Sequence, residues 1–188
     1  MCIDAITYSD LDWDMKLNKK LIFKITIILL LAWCLVIFLF SANKGSDSSK
    51  QSGFIVSFIM GHNLEWMVPD IVPGASLELN VRKLAHMTEY AILEILNYLF
   101  LYQVTRRRLI RIGRIATATV GSLVLSFVYA CLDEYHQTFV PNRIGSFSDV
   151  LVDMRGALVG LIISIIFVII LYTYRFVKYQ NKRLLLEK

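Results

Sequence analysis

Cysteine is scarce in this 188-residue chain and poorly placed for bridging. Cys2, Cys34 and Cys131 are odd in number and lack metal-type spacing, and the last two lie in apolar segments. No disulfide framework and no thiolate zinc site follow from them. Charge is thin as well: 19% of residues are charged against 56% hydrophobic, which puts the chain outside the soluble range and inside the membrane range. The apolar residues fall in a few unbroken blocks, not at the helix or strand periods of a soluble core. An internal repeat, a second domain and an HExxH-like metal motif are all absent from the sequence. The net charge of +5 comes from basic residues clustered beside the apolar blocks, where they set topology, so no nucleic-acid partner is inferred.

What is present is a series of long apolar runs. Residues 1–15 are polar and acidic and read as a flexible tail; Met15 opens Met-Lys-Leu-Asn-Lys-Lys, an alternative start that leaves everything downstream unchanged. Residues 21–40 form an apolar run broken only by Lys24, long enough to cross about 30 Å of hydrocarbon. Its length, and the poor cleavage site in Phe-Leu-Phe-Ser-Ala-Asn, favour an uncleaved anchor over a secretory signal. Residues 41–52 are hydrophilic and turn-forming, so the chain is expected to leave the membrane there. Phe54, Ile55, Phe58, Ile59 and Trp66 then recur at helical spacing over a segment too short to span, which predicts an interfacial helix ended by Pro69 and Pro73. His62 and Glu65 are expected to face solvent.

Three further spans are predicted over residues 84–104, 115–132 and 150–172. Arg106-Arg107-Arg108 with Arg111 and Arg114 is the densest basic cluster, and the positive-inside rule puts it in the cytoplasm. Both termini are then cytoplasmic and residues 41–83 lie outside. The expected fold is an all-α membrane protein of four transmembrane helices plus a short outer interfacial helix. It divides into a tail at 1–20, a transmembrane domain at 21–172 and a basic tail at 173–188. Small residues on the third span (Ala116, Thr117, Ala118, Thr119, Gly121, Ser122) and Gly156 and Gly160 on the fourth suit close helix packing.

Polar residues gather at one end of three of these spans. Arg82, His86 and Glu89 are spaced i, i+4, i+7 and share a helix face; Asp149 and Asp153 are i, i+4, and so are Asp133 and Gln137 if that helix continues past the interface. Ionisable groups at this depth are costly unless paired or facing a cavity. One reading is structural, with Arg82, Arg143 and Arg155 neutralising Glu89, Asp133, Asp149 and Asp153. The other is a pocket in which a histidine beside carboxylates relays protons and arginines hold phosphate or carboxylate. A divalent metal held by His86, Glu89, Asp133, Glu134, His136 and Asp149 is chemically conceivable but has no motif spacing behind it, so no metal ligand is assigned. Glu94 stands apart as an isolated intramembrane carboxylate, expected to hydrogen-bond a neighbouring helix.

Two stretches carry a family resemblance. Arg82-Lys83-Leu84-Ala85-His86-Met87-Thr88-Glu89-Tyr90 and Asp133-Glu134-Tyr135-His136-Gln137-Thr138-Phe139-Val140-Pro141-Asn142-Arg143, with Gly145-Ser146-Phe147-Ser148-Asp149 and Gly156, resemble the paired motifs of the VanZ-like membrane proteins. The resemblance covers about residues 21–172. It departs at Asp153, where the family pattern generally has asparagine, and at Asn142, where it has glycine. It implies a bacterial plasma-membrane protein, with the motif residues at the extracytoplasmic face, that reduces susceptibility to teicoplanin-type lipoglycopeptides.

The expected partners are the lipid bilayer and, at the polar pocket, an envelope lipid, a lipid-linked cell-wall precursor or a lipoglycopeptide. The expected ligand-binding residues are Arg82, Lys83, Gln137, Arg143, Asp149 and Asp153. Under the alternative, a membrane-embedded enzyme, the catalytic residues are His86, Glu89, Asp133 and Glu134. The residues name no particular cofactor.

Overall fold

The computed structural model describes residues 6–43, 45–107 and 109–186. Residues 1–5 of the expected tail and Arg108 of the basic cluster lie outside the described residues. Within them the chain is all-helical, with no strand: α1 (Ile6–Ser41), α2 (Gly45–Gly61), α3 (Leu77–Val104), α4 (Arg111–Gln137) and α5 (Phe147–Leu186), with short 3-10 turns at Glu65–Met67 and Thr105–Arg107.

The helix boundaries revise several expectations. α1 starts at Ile6, inside the segment expected as a tail, because neither glycine nor proline interrupts the chain between Ile6 and Ser41. α2 starts at Gly45, within the stretch expected to be loop; its serine- and aspartate-rich opening also suits the first turn of a helix. α2 ends at Gly61, ahead of Pro69 and Pro73, and Trp66 sits on the separate turn Glu65–Met67. His62 and Glu65 are exposed, as expected. α3 begins well before residue 84, where Ser76 caps it by accepting the Leu79 N–H at 3.3 Å.

Among the described residues, three helical stretches are long and apolar enough to cross a membrane: Lys19–Ser41, Ile112–Gln137 and Phe147–Lys178. α3, expected as the second span, is not among them, because Arg82, Lys83, His86, Glu89 and Glu94 interrupt its apolar sequence. The packing accounts for this. α3 is the central helix, contacted by α1, α2, α4 and α5, so its polar groups face protein where those of a peripheral helix would face lipid.

Two features bring the helices close. Gly156 and Gly160 of α5 lie directly on the backbone of α3 at Met87 and Ala91, and a Cβ at either position would overlap those atoms. The i, i+4 glycines therefore act as the packing stripe expected of them. On α4, Ala118 and Ser122 are buried and Gly121 faces Leu101 of α3, whereas Ala116 and Thr117 of the same small-residue run are exposed. Small apolar clusters, Ile37–Tyr90–Leu93–Ala130–Val150 and Tyr98–Ala118–Leu161–Val168, are spaced along α3.

α1 is tied to this core by polar contacts. Trp33 Nε1 donates to the Glu89 carbonyl at 2.9 Å, and the Tyr129 hydroxyl donates to the Cys34 carbonyl at 2.6 Å. The α4–α5 connection contains Asn142 at φ 61°, a left-handed conformation that asparagine and glycine tolerate best. That is a physical reason for a glycine-type position there.

Candidate functional site

The first three turns of α3 build one wall of the site. Val81, Arg82, Ala85, His86 and Glu89 line a partly open cavity of about 270 Å³, as the i, i+4, i+7 spacing predicts. α1 contributes Ile37, Phe40 and Ser41, and α2 contributes Ser52 and Ile55. Asp133 reaches it from α4, and Arg143 from the loop that follows. Five of the expected site residues, Arg82, His86, Glu89, Asp133 and Arg143, thus share one space.

Continuation of α4 to Gln137 places Asp133 and Gln137 on one face, and Gln137 Nε2 donates to Asp133 Oδ2 at 3.1 Å. Arg143 completes the chain of contacts: Nη1 donates to Gln137 Oε1 at 3.1 Å, Nε to the Asn43 carbonyl at 3.0 Å and Nη2 to the Phe40 carbonyl at 3.4 Å. Its guanidinium therefore binds the exposed carbonyl end of α1 and holds Asp133 only through the glutamine. Burial, with nearby Arg82 adding to it, pulls the Arg143 pKa below its ordinary value.

The expected ion pairs form with different partners. Lys83 Nζ pairs with Asp149 Oδ1 at 2.6 Å. His86 Nδ1 lies 3.6 Å from Asp153 Oδ1 and 3.9 Å from Glu89 Oε2, within ion-pair reach but beyond hydrogen-bond length. Arg155 is exposed and, among the described residues, neither it nor Arg82 has an ion-pair or hydrogen-bond partner. The arginines do not neutralise the carboxylates directly, since their fixed positions on separate elements aim them at backbone carbonyls and at the cavity. Asp153 is fully buried, with neither carboxylate oxygen hydrogen-bonded.

The remaining expected residues do not line the cavity. Glu134 turns to the α4–α5 loop and accepts the Ser146 N–H at 2.8 Å. Gly145 sits on the Glu134 carbonyl, where any side chain would collide. Among the described residues no group of three or more histidine, cysteine or carboxylate side chains converges as a metal site. Sequence reasoning missed the α1 and α2 contributions, because Ile37, Phe40 and Ile55 read locally as lipid-facing residues. Ser52, whose hydroxyl donates to Glu78 Oε1 at 3.0 Å, lay in the presumed loop.

Glu94 belongs to a separate cluster. Its carboxylate accepts the hydroxyls of Ser122 at 2.5 Å and Ser126 at 2.6 Å, and Asn97 Nδ2 donates to Ser126 Oγ at 3.1 Å. The expected interhelical hydrogen bond is present, made twice over to α4.

A family model described as VanZ/LLP1 matches residues 26–170. No curated protein and no solved structure matches the chain.

Proposed function

This chain belongs to the VanZ/LLP1 family, and from that premise we propose a multi-pass protein of the bacterial plasma membrane that lowers susceptibility to teicoplanin-type lipoglycopeptides. It does so by engaging an envelope lipid or a lipid-linked cell-wall precursor at the α3 cavity. The observation that carries the reading is the gathering of Arg82, His86, Glu89, Asp133 and Arg143 from three chain segments into one cavity whose other lining residues, Ser41 and Ser52 apart, are apolar. A binding site for an amphiphile requires both features. α3 is the fourth membrane crossing, sheltered from lipid by its neighbours. Arg106, Arg107, Arg111 and Arg114 hold its far end in the cytoplasm, which puts both termini inside and the cavity on the extracytoplasmic side.

A second reading, an enzyme acting on an anionic lipid or cell-wall precursor, is favoured by one observation: His86 has Asp153 and Glu89 within ion-pair reach of the same ring nitrogen. The two readings separate in cells that express equal amounts of each variant. Glu89→Ala abolishes protection against teicoplanin under both; His86→Gln keeps hydrogen bonding without relaying protons, so it retains protection in a binder and loses it in an enzyme. If both variants protect fully, the cavity is not the site. The topology has its own test. Ile144 is 89% exposed in the α4–α5 loop, and Ile144→Cys in a background free of the native cysteines reacts with an impermeant thiol reagent on intact cells. Protection there until the membrane is permeabilised reverses the orientation.

A further inference from the structure

Among the charged groups lining the cavity, Arg82 and Glu89 have the most binding capacity to spare. Arg143 is committed to two carbonyls of the α1 end and to Gln137, and Lys83 to Asp149. Asp133 accepts from Gln137. Arg82 has no partner among the described residues, and Glu89 has only His86, at 3.9 Å. Seven residues apart on one face of α3, their backbones are separated by about 10 Å along the helix axis. A guanidinium at one end and a carboxylate at the other complement a headgroup that carries an anion and, a few bonds away, hydrogen-bond donors.

The apolar walls show where the rest of such a ligand goes. α1 and α2 are joined by a short turn and each packs on α3, yet they scarcely pack against each other. Phe40 on one side of the gap is 49% exposed and Ile55 on the other is 46% exposed, and both line the cavity. Next to Ile55 on α2, Phe54 is 75% exposed, so this helix presents apolar side chains to its surroundings on more than one side. The cavity therefore has a lateral apolar gap beside a polar floor.

We propose that the cavity holds the headgroup of a membrane amphiphile, its phosphate against Arg82 and its ammonium or hydroxyl donors against Glu89, while the acyl chain leaves sideways into the bilayer between α1 and α2. This rests on the reading of the cavity as a lipid-engaging site and adds the headgroup class and the route of access.

The test uses the full-length protein, with its native cysteines replaced and Phe40→Cys and Ile55→Cys introduced. A short reducible bifunctional thiol reagent closes the gap and tolerates a wider separation than a disulfide. Binding of long-chain phosphatidylethanolamine, long-chain phosphatidylcholine and water-soluble phosphoethanolamine is measured before linking, after linking and after reduction. With the gap open, phosphatidylethanolamine binds at least about tenfold more tightly than phosphatidylcholine, which lacks N–H donors, and Arg82→Ala or Glu89→Gln each lowers that binding by about tenfold. Linking weakens binding of the long-chain lipid by about tenfold or more, leaves phosphoethanolamine within about twofold, and is reversed by reductant. The reversal shows that the linked protein was folded. If the linked protein holds the long-chain lipid as well as the open one, lateral access is overturned while the headgroup site stands. Equal affinity for the two lipids overturns the donor requirement. If neither lipid nor phosphoethanolamine binds the open protein, the lipid-engaging reading fails and the present inference with it.

Discussion

Two polar groups of residues on the same helix, α3, meet opposite fates. At Glu94 both carboxylate oxygens accept a serine hydroxyl from α4, the group is fully buried, and Asn97 extends the network. Earlier on the helix, Arg82 and Glu89 face open space with their hydrogen-bonding capacity largely unused. A buried polar group left unsatisfied costs about 1–3 kcal/mol, and more when charged. The Glu94 cluster has removed that cost and reads as structure. Arg82 and Glu89, half-buried beside an open cavity, escape most of that cost and keep hydrogen-bonding capacity that a ligand can use.

Substitutions sharpen the contrast, and the largest effect is expected where the backbones touch. Gly156→Val inserts a side chain against the Met87 backbone and forces α5 off α3; a loss of about 3 kcal/mol is expected, seen as failure to recover a monodisperse protein in detergent. Next comes Glu94→Ala, which strips two serines of their acceptor and lowers stability by about 2 kcal/mol. Its thermal unfolding midpoint drops while protection per folded molecule stays unchanged. Arg143→Ala removes three hydrogen bonds between the α4–α5 loop, Gln137 and the end of α1 and costs about 1.5 kcal/mol, with faster proteolysis near residue 43 as the readout. The smallest effect on stability is expected from Arg82→Ala and Glu89→Gln, within about 0.5 kcal/mol of the parent, and these two abolish protection. If they destabilise the protein as much as Glu94→Ala does, the distinction between a filled and an unfilled polar group collapses.

Local spacing carried much of this into the sequence. The shared face of Arg82, His86 and Glu89, the i, i+4 pairing of Asp133 with Gln137, and the glycine stripe at 156 and 160 are all periodicity, and periodicity survives folding. Partner choice was less legible. Of the arginines expected to neutralise carboxylates, Arg143 binds backbone carbonyls and Arg82 and Arg155 have no partner among the described residues, while Lys83 takes Asp149. Which charges meet depends on the distances between elements, and no spacing rule fixes those. The start of α2 was hidden for a related reason, since a serine-rich run favours a turn or a helix start equally well until neighbouring elements decide. α3 shows the limit of composition as a guide to membranes, because a central helix can be the most polar of a bundle for the reason that it is central.

The attachment of α1 bears on the order of assembly. Besides the apolar packing of Ile37 and the bond from Gln103 to Thr26, its polar contacts with the bundle run through Trp33 to α3, Tyr129 of α4 to the Cys34 carbonyl, and Arg143 to the carbonyls of Phe40 and Asn43. Each partner is synthesised after it, the last of them a hundred residues later. Along the chain, the carbonyl end of α1 is therefore the part of that helix whose partner comes latest, after the residues that hold Trp33 and Cys34. Truncation after α4 would keep the Trp33 and Cys34 contacts and lose the Arg143 latch on the carbonyl end of α1.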